Sequence, residues 1–299
     1  ILSAGCGSPP VKHPPPQDPD LEVFNATARL EFDRGSLGPA AASYARALDR
    51  ARMMDDAAAI ATAAYNLAVC RAALGDYPAA RMLLDEADRE ARRSNLSTAD
   101  VYLALARIAL LEHDPTATAR LSDAVLNPEA RPDTEQRAQA HVLHGLAACD
   151  LSDAGLAKQQ LDAARSLAAT VKDPALDASV WALSAAVHLL AHDWAAAAAD
   201  FDREADLRRT MHQYRELERA LTKAGRAFAA VGDHREAADR LYRAARAAAA
   251  RGGADAPALA SEANTAARKA GDESLVRLTA SLQQSLTVAT TPATRPAID

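Results

Sequence analysis

The sequence is poor in aromatic residues and has no long apolar run. Aromatic residues make up 4% of the 299 residues, and alanine dominates the 49% that are hydrophobic. Because alanine buries only a methyl group, the core must be thin and its elements must approach closely. No apolar stretch reaches the roughly 20 residues that a membrane-spanning helix needs. Alternating runs of Val, Ile or Thr are also missing, so the composition predicts an all-helical protein.

The chain has no excess of positive charge. The chain has 34 Lys and Arg against 40 Asp and Glu, a net charge of −6. General nucleic-acid binding depends on Lys and Arg that neutralise phosphates, so we expect no nucleic-acid partner. The glycine loops, nucleophile elbows and zinc-binding His pairs of common enzyme classes are absent from the sequence. We therefore expect no enzymatic activity and no cofactor.

The first residues resemble a bacterial lipobox. Leu2, Ser3, Ala4 and Gly5 are small or apolar and precede Cys6, which would carry the lipid after cleavage. Gly7-Ser8-Pro9-Pro10 and Pro14-Pro15-Pro16 follow, and such a proline-rich stretch is expected to form neither helix nor sheet and to suit a tether. The resemblance implies a lipoprotein anchored at Cys6. Because residue 7 is glycine rather than aspartate, it implies an outer-membrane anchor that faces the periplasm.

Three cysteines are too few for a disulfide framework. With Cys6 assigned to the lipid, only Cys70 and Cys149 remain, two repeats apart in the alignment below. Helix spacings of about 8 to 10 Å would separate them too widely for a disulfide. We interpret both as small buried apolar residues.

A pattern of about forty residues recurs along the chain. In one unit Gly75 marks a turn, and Ala80, Leu84 and Ala87 follow at a spacing that places them on one helix face. The corresponding turns are predicted at Gly35, Glu112, Ser152, His192, Gly232 and Gly271. In the unit of Glu112 the face would be formed by Ala117, Leu121 and Ala124. An aspartate that can cap the next helix recurs just after the turn: Asp76, Asp153, Asp193, Asp233 and Asp272.

Residues 65–87 resemble a tetratricopeptide (TPR) repeat in the placement of these small and large residues. The resemblance covers roughly residues 20 to 286 and implies a right-handed α-solenoid of about seven helix hairpins, with a period near 40 residues. Residues 1–19 would be the end of the signal, the lipobox and the tether. Residues 287–299, rich in Thr, Ala and Pro, would be a disordered tail.

The resemblance also implies a partner-binding groove along the first helices of the units. Its expected residues are apolar: Tyr65, Val69, Tyr102, Val142, Leu146, Leu189 and Leu190. They suit an apolar or helical segment of a protein partner. The same residues would equally serve as core if the hairpins wind tightly, and the sequence leaves both interpretations open.

Three other groups of residues have types that could carry a function. His141, His144, His188 and His192 have metal-ligand spacings, but their repeat positions are those of packing or turn residues, so no metal site is predicted. Trp181 and Trp194 are expected between helices. A row of arginines is interpreted as a solvated helix face: Arg235, Arg240, Arg243, Arg246 and Arg251.

The sequence therefore predicts a lipid-anchored, non-enzymatic TPR adaptor that binds a protein partner in an envelope assembly. Two other functions remain open. One is a structural subunit of a surface or electron-transfer complex. The other is the ligand-sensing TPR module of a regulator.

Overall fold

The computed structural model describes residues 18–290 and, for residues 287–290, only their helical backbone. Within this part of the chain there are fourteen α-helices, one short 3₁₀ helix and no strand. The helices are α1 Pro19–Asp33, α2 Leu37–Met53, α3 Ala57–Ala73, α4 Tyr77–Arg93, α5 Ala99–Leu111, α6 Pro115–Leu126, α7 Thr134–Asp150, α8 Ala154–Val171, α9 Pro174–Leu190, α10 Trp194–Thr210, α11 Tyr214–Val231, α12 His234–Ala250, α13 Ala256–Ala270 and α14 Glu273–Thr290. The all-α class is thus confirmed.

The chain divides into two compact units. The first ends at Ser97 and contains α1 to α4. The second begins at Thr98 and contains α5 to α14. In each unit, consecutive helices pack against one another as hairpins. The last helix ends at Thr290 and so includes the first four residues of the predicted tail, 287–290.

Local chemistry ends and starts the helices. At the predicted turns Gly35, Gly75, Gly232 and Gly271 have positive φ, and so do Ser152 and His192. A residue in this left-handed conformation ends the helix, and the chain then turns toward the next helix. The predicted caps are confirmed, since each aspartate accepts a hydrogen bond from a backbone N–H of the first turn: Asp76, Asp153, Asp193, Asp233 and Asp272.

The repeat frame predicted around Glu112 is wrong by one residue. The left-handed residue between α5 and α6 is His113, with φ of 59°, and Asp114 caps α6. The fully buried face is consequently formed by Thr118, Ser122 and Val125. The predicted residues of that face are only half-buried: Ala117, Leu121 and Ala124.

Thr118 and Ser122 can occupy this buried face because backbone carbonyl groups one turn earlier accept hydrogen bonds from their hydroxyls. The Thr118 hydroxyl donates to the carbonyl of Asp114 at 2.8 Å. The Ser122 hydroxyl donates to the carbonyl of Thr118 at 2.8 Å. Buried polar groups are tolerated when they are hydrogen-bonded. A pattern of residue types therefore misplaced the face, whereas the turn and its cap fix it.

The two tryptophans differ in their surroundings. Trp181 is half-buried, with the Arg203 guanidinium 4.4 Å from its ring centre. Trp194 is 38% exposed and lies against His192, so the expectation that it packs between helices is wrong. It stands on the first turn of α10, where a side chain points back toward the preceding loop.

Both described cysteines are free thiols. Cys70 is fully buried in α3, and Cys149 is half-buried in α7. Burial raises the pKa of each thiol to about 11. Both thiols are therefore protonated at neutral pH, as expected of packing residues, and the thiolate is the reactive form.

Candidate functional site

A cavity opens on the first helices of the second unit. Its volume is about 170 Å³, and α7 supplies most of its floor. The lining residues are Arg107, Gln139, Val142, Leu143, Leu146, Ser179, Ala182 and Arg208. Two of the predicted groove residues, Val142 and Leu146, are among them.

Helix α7 is fixed at its amino end by a capping box. Asp133 accepts from the backbone N–H of Gln136, and the Gln136 side chain accepts from the backbone N–H of Asp133. From this start Val142 and Leu146 follow at i, i+4, so both lie on one face of α7. Val142 is 5% exposed and packs into the core between α7 and α9. Leu146 is half-buried against the same core. The floor is therefore the surface of the core rather than a separate element.

An arginine reaches the cavity from α5. The Arg107 guanidinium donates to Gln139 Oε1 at 2.6 Å. The Gln139 amide in turn donates to Glu135 Oε1 at 2.8 Å. Arg107 itself is exposed, and its position is held by this chain of hydrogen bonds. It presents a positive charge beside the apolar floor.

A second arginine, Arg208, reaches the cavity from α10. The Arg208 side chain is only 12% exposed, and its guanidinium donates to Gln213 Oε1 at 2.7 Å and to Ser179 Oγ at 3.1 Å. Glu204 Oε1 lies 3.5 Å from the Arg208 Nε. That Nε atom is buried and makes no hydrogen bond within the described part of the protein.

Glu204 is the acidic residue at a repeat position where other units have alanine. Burial raises its pKa, and Arg208 and Lys223 oppose this shift by their positive charge. The carboxylate is thus held beside Arg208 in an environment that disfavours its charged form.

The other predicted groove residues lie elsewhere. In the first unit, Tyr65 and Val69 are half-buried on α3. In the second unit, Tyr102 packs against the core of α5 to α7. Leu189 packs against the core around Phe201. Leu190, the next residue and the last of α9, is half-buried. A role for these residues in partner binding stays a prediction.

Arg107, Ser179 and Arg208 were missed at the sequence level. In the corrected frame Arg107 occupies the repeat position that Val69 and Leu146 hold in their own units. The cap at Asp114 was the signal that would have revealed this. Ser179 also falls at a groove position, but Arg208 lies near the end of a second helix, where the repeat predicts no groove residue.

The histidines contact separate polar partners. His141 Nδ1 is 2.6 Å from Gln160 Oε1, and His144 Nδ1 is 3.1 Å from Asp123 Oδ1. Among residues 18–290, no group of three or more His, Cys, Asp or Glu is arranged to hold a metal ion. The expected turn conformation of His192 is confirmed by its φ of 59°.

The arginine row is engaged in local pairs. Arg240 lies 2.9 Å from Asp202 and 2.6 Å from Glu236, and Arg243 lies 3.3 Å from Asp239. Arg251 pairs with the buried Glu218. The remaining members are also in contact, Arg235 with Asp272 and Arg246 with the ring of Tyr242. These pairs leave little uncompensated positive charge for a polyanion.

Two further expectations concern the membrane. Cys6 and the rest of the lipobox lie outside the described residues. In the part of the chain that the structure does describe, none of the helices combines the length and apolarity that crossing a membrane would require.

Solved structures of other proteins are similar to this helical architecture. No protein-family model and no curated protein matches the chain. BtubC from P. vanneervenii is similar in structure, with a TM-score of 0.56 and 21% identity over 73% of this chain and 92% of that one.

Two other solved structures are similar over more of this chain. A Rap protein complexed with competence and sporulation factor has a TM-score of 0.63 and 13% identity, covering 90% of this chain and 75% of that one. A signal transduction ATPase with a tetratricopeptide repeat sensor, from Pyrococcus horikoshii, has a TM-score of 0.61 and 13% identity, covering 92% and 44%. At these identities the likeness shows the fold alone. The chain has the all-α helix-hairpin fold of tetratricopeptide-repeat proteins.

Proposed function

We propose that the chain is a non-enzymatic adaptor that binds a segment of a protein partner in the cavity on α7. The observation that carries this proposal is the cavity itself, whose apolar floor lies between Arg107 of α5 and Arg208 of α10. Ligand sites are typically concave and apolar with a few placed polar groups. A Rap protein of the same fold is complexed with competence and sporulation factor, which shows that this fold can hold a partner molecule.

A polar network elsewhere in the second unit does not favour catalysis. The buried Ser184 hydroxyl donates to Asp200 Oδ2 at 2.5 Å, and His188 Nδ1 is 3.1 Å from the same oxygen. A nucleophile would need its base within hydrogen-bond reach, but here the carboxylate is the shared partner of both groups. Ser184 is also fully buried and out of reach of a substrate.

Leu146 tests the cavity. The variant Leu146→Asp places a carboxylate on the apolar floor and should deplete the partner that co-purifies from native membranes. Because Leu146 is half-buried at a cavity, the helical circular dichroism signal and the melting temperature of the variant should differ little from those of the wild type. If melting falls sharply, a buried unpaired carboxylate has disrupted the core and the cavity assignment is rejected.

The matched control is Leu151→Asp. Leu151 caps the carboxyl end of the same helix and is 52% exposed, outside the cavity lining. Quantitative mass spectrometry measures the proteins that co-purify with each variant. A protein that binds in the cavity should co-purify with the wild type and with Leu151→Asp but not with Leu146→Asp. Equal recovery with both variants would move the interface away from the cavity.

We further propose that Cys6 anchors this adaptor to the outer membrane, with the repeats in the periplasm. The support is the lipobox-like sequence Leu2, Ser3, Ala4, Gly5 and the proline-rich residues after it. Expression of the full precursor with Cys6→Ser should release the protein into the soluble periplasmic fraction and abolish incorporation of labelled fatty acid. Cys70→Ser is the control for loss of a thiol and should remain with the membranes. Unchanged partition of Cys6→Ser would contradict the anchor.

A further inference from the structure

The cavity on α7 is lined by one sign of charge. Arg107 and Arg208 are its two charged residues, and the other six lining residues are uncharged. The chain as a whole carries a net charge of −6, so this local excess runs against the composition. Two glutamates contact the lining from outside it: Glu135 accepts from Gln139, and Glu204 lies beside Arg208. The charged groups that line the cavity are therefore both positive, and the nearest acidic groups lie outside the lining.

Arg208 is held at the cavity wall by its own contacts. Its Nη atoms donate to Gln213 and Ser179, and its buried Nε lies 3.5 Å from Glu204 Oε1. Each Nη atom carries a second N–H that these bonds do not use, and these N–H groups can donate to an acceptor in the cavity. A carboxylate is the acceptor that a guanidinium binds most strongly, because charge and fork geometry both match.

The two arginines stand on opposite sides of the floor. Helix α7 packs against α5 on one side and against α9 on the other. Arg107 comes from α5, while Arg208 comes from α10 and bonds to Ser179 on α9. Val142 and Leu146 lie between them on α7. An occupant that uses the whole cavity would have an apolar centre and a negative group toward each side.

The volume limits that apolar centre. A cavity of about 150 Å³ takes up a molecule of the size of benzene. At about 170 Å³, this cavity accepts a single aliphatic side chain. A longer apolar stretch would have to leave the floor and pass the arginines.

We propose that the cavity recognises an internal segment of a protein partner in which one aliphatic residue is flanked on both sides by acidic residues. This proposal rests on the proposed function and specifies the chemistry of its partner. Arg107 binds one acidic side chain and Arg208 binds the other, while Val142 and Leu146 receive the aliphatic one. Residues two apart in an extended segment point to the same side, so the acidic residues stand two positions before and after the aliphatic residue.

Fluorescence anisotropy with short labelled peptides tests this directly. The probe has a central leucine with a glutamate two residues to each side, and its ends are blocked to remove terminal charges. One control peptide has glutamine in place of both glutamates, and another has serine in place of the leucine. The full chain is titrated at low and at high salt.

Three variants separate the contributions. Arg107→Gln removes an exposed charge, and Arg208→Lys keeps the charge of the buried residue but removes its planar fork. Arg277→Gln is the control, since its side chain is 75% exposed on α14 and outside the cavity. Circular dichroism melting of each variant verifies that it folds.

We expect the acidic probe to bind about tenfold more tightly than the glutamine peptide, which corresponds to about 1.4 kcal/mol shared between the two Arg–Glu contacts. Arg107→Gln and Arg208→Lys should each remove about half of that free energy, roughly threefold in affinity, and Arg277→Gln should leave it intact. High salt should weaken the acidic probe more than the glutamine peptide. Serine in place of leucine should weaken binding in every variant.

The proposal is overturned if the two peptides bind equally, if neither binds, or if Arg107→Gln leaves the preference unchanged. Its failure is distinguishable from failure of the proposed function. If Leu146→Asp still depletes the co-purified partner while the acidic probe has no advantage, the adaptor role stands and the acidic specification is wrong. If Leu146→Asp depletes nothing, the cavity is not the partner site.

Discussion

Two contact regions of the second unit use the same hairpin geometry with different chemistry. Around α11 to α13 the buried hydrophobic cluster consists of Ala and Leu alone, and the buried Glu218 of α11 pairs with Arg251. Between α8 and α10 the buried Ser184 hydroxyl donates to the buried Asp200, and Arg165 donates to Ser184 Oγ at 2.7 Å. The repeat spacing therefore does not prescribe an apolar interface. It prescribes close approach, which either small side chains or a satisfied polar network can fill.

The consequences for stability differ. In the alanine-rich region, helix backbones nearly touch, since a Cβ added at Gly225 would lie 2.7 Å from Leu241 Cγ and 3.2 Å from the Ala237 carbonyl oxygen. Stability in this region depends on how closely the side-chain volumes fill the space between the helices. In the polar region stability depends on complete hydrogen bonding, because each buried group that loses its partner keeps its desolvation penalty.

The largest expected effect is on the apolar side. Leu241→Ala should lower the free energy of unfolding by about 2 to 5 kcal/mol, because it leaves a cavity in a cluster of methyl groups too small to fill it. The urea midpoint measures this. Leu278→Ala, at an exposed site on α14, should have little effect. Similar losses in both variants would mean that the cluster is not the source of stability.

The next largest effect is in the polar region. Ser184→Ala should lower stability by about 1 to 3 kcal/mol, since Asp200 loses its hydroxyl donor and Arg165 loses its acceptor. The double variant Ser184→Ala, Asp200→Ala should lose less than the sum of the single variants, because it removes both buried partners. Additive losses would contradict the network.

Gly225→Ala and Gly145→Ala compare α11 of the alanine-rich region with α7, which packs against α9 of the polar region, at one repeat position. At Gly225 the added methyl meets a branched carbon and a backbone oxygen, whereas at Gly145 it meets the two terminal methyls of Leu183 at 2.7 and 2.8 Å. Gly225→Ala should therefore lower stability by about 1 to 3 kcal/mol, even though alanine favours the helix. Gly145→Ala should have a smaller effect, because side-chain ends move more easily than backbone. The reverse order in thermal melting would contradict this account.

The smallest expected effect is a pH dependence at Glu204. Its pKa is raised above the ordinary value of 4.5 by burial, so the folded state holds the proton more tightly than the unfolded state. Its contribution to stability is fully present below the unfolded pKa and is lost as the pH rises through the folded pKa. The stability of the wild type relative to Glu204→Gln should thus fall as pH rises from about 4 through this window. A difference that is constant from pH 4 to 7 would contradict the raised pKa.

Much of the fold follows from residues that are close in the sequence. Gly75 followed by Asp76 predicts a helix end and a helix start, and both are present because a left-handed residue and an N-cap act within one turn. The error at Glu112 arose where residue type was given more weight than this local signal. Ala117, Leu121 and Ala124 match the pattern but are rotated by one residue, about 100°, from the face that Asp114 determines.

The sequence by itself determined the helical class, the hairpin turns and their caps, and the face of most helices that is buried. These depend on interactions within four residues and on a repeated spacing, so they can be found by inspection. Only the tertiary structure decided which groove residues border a cavity and which belong to the core. Arg208 shows the reason most clearly. It belongs to α10, yet it bonds to Ser179 on α9, 29 residues away, and faces a floor built by α7. Such a position results from the packing of three helices, which no spacing along one helix contains.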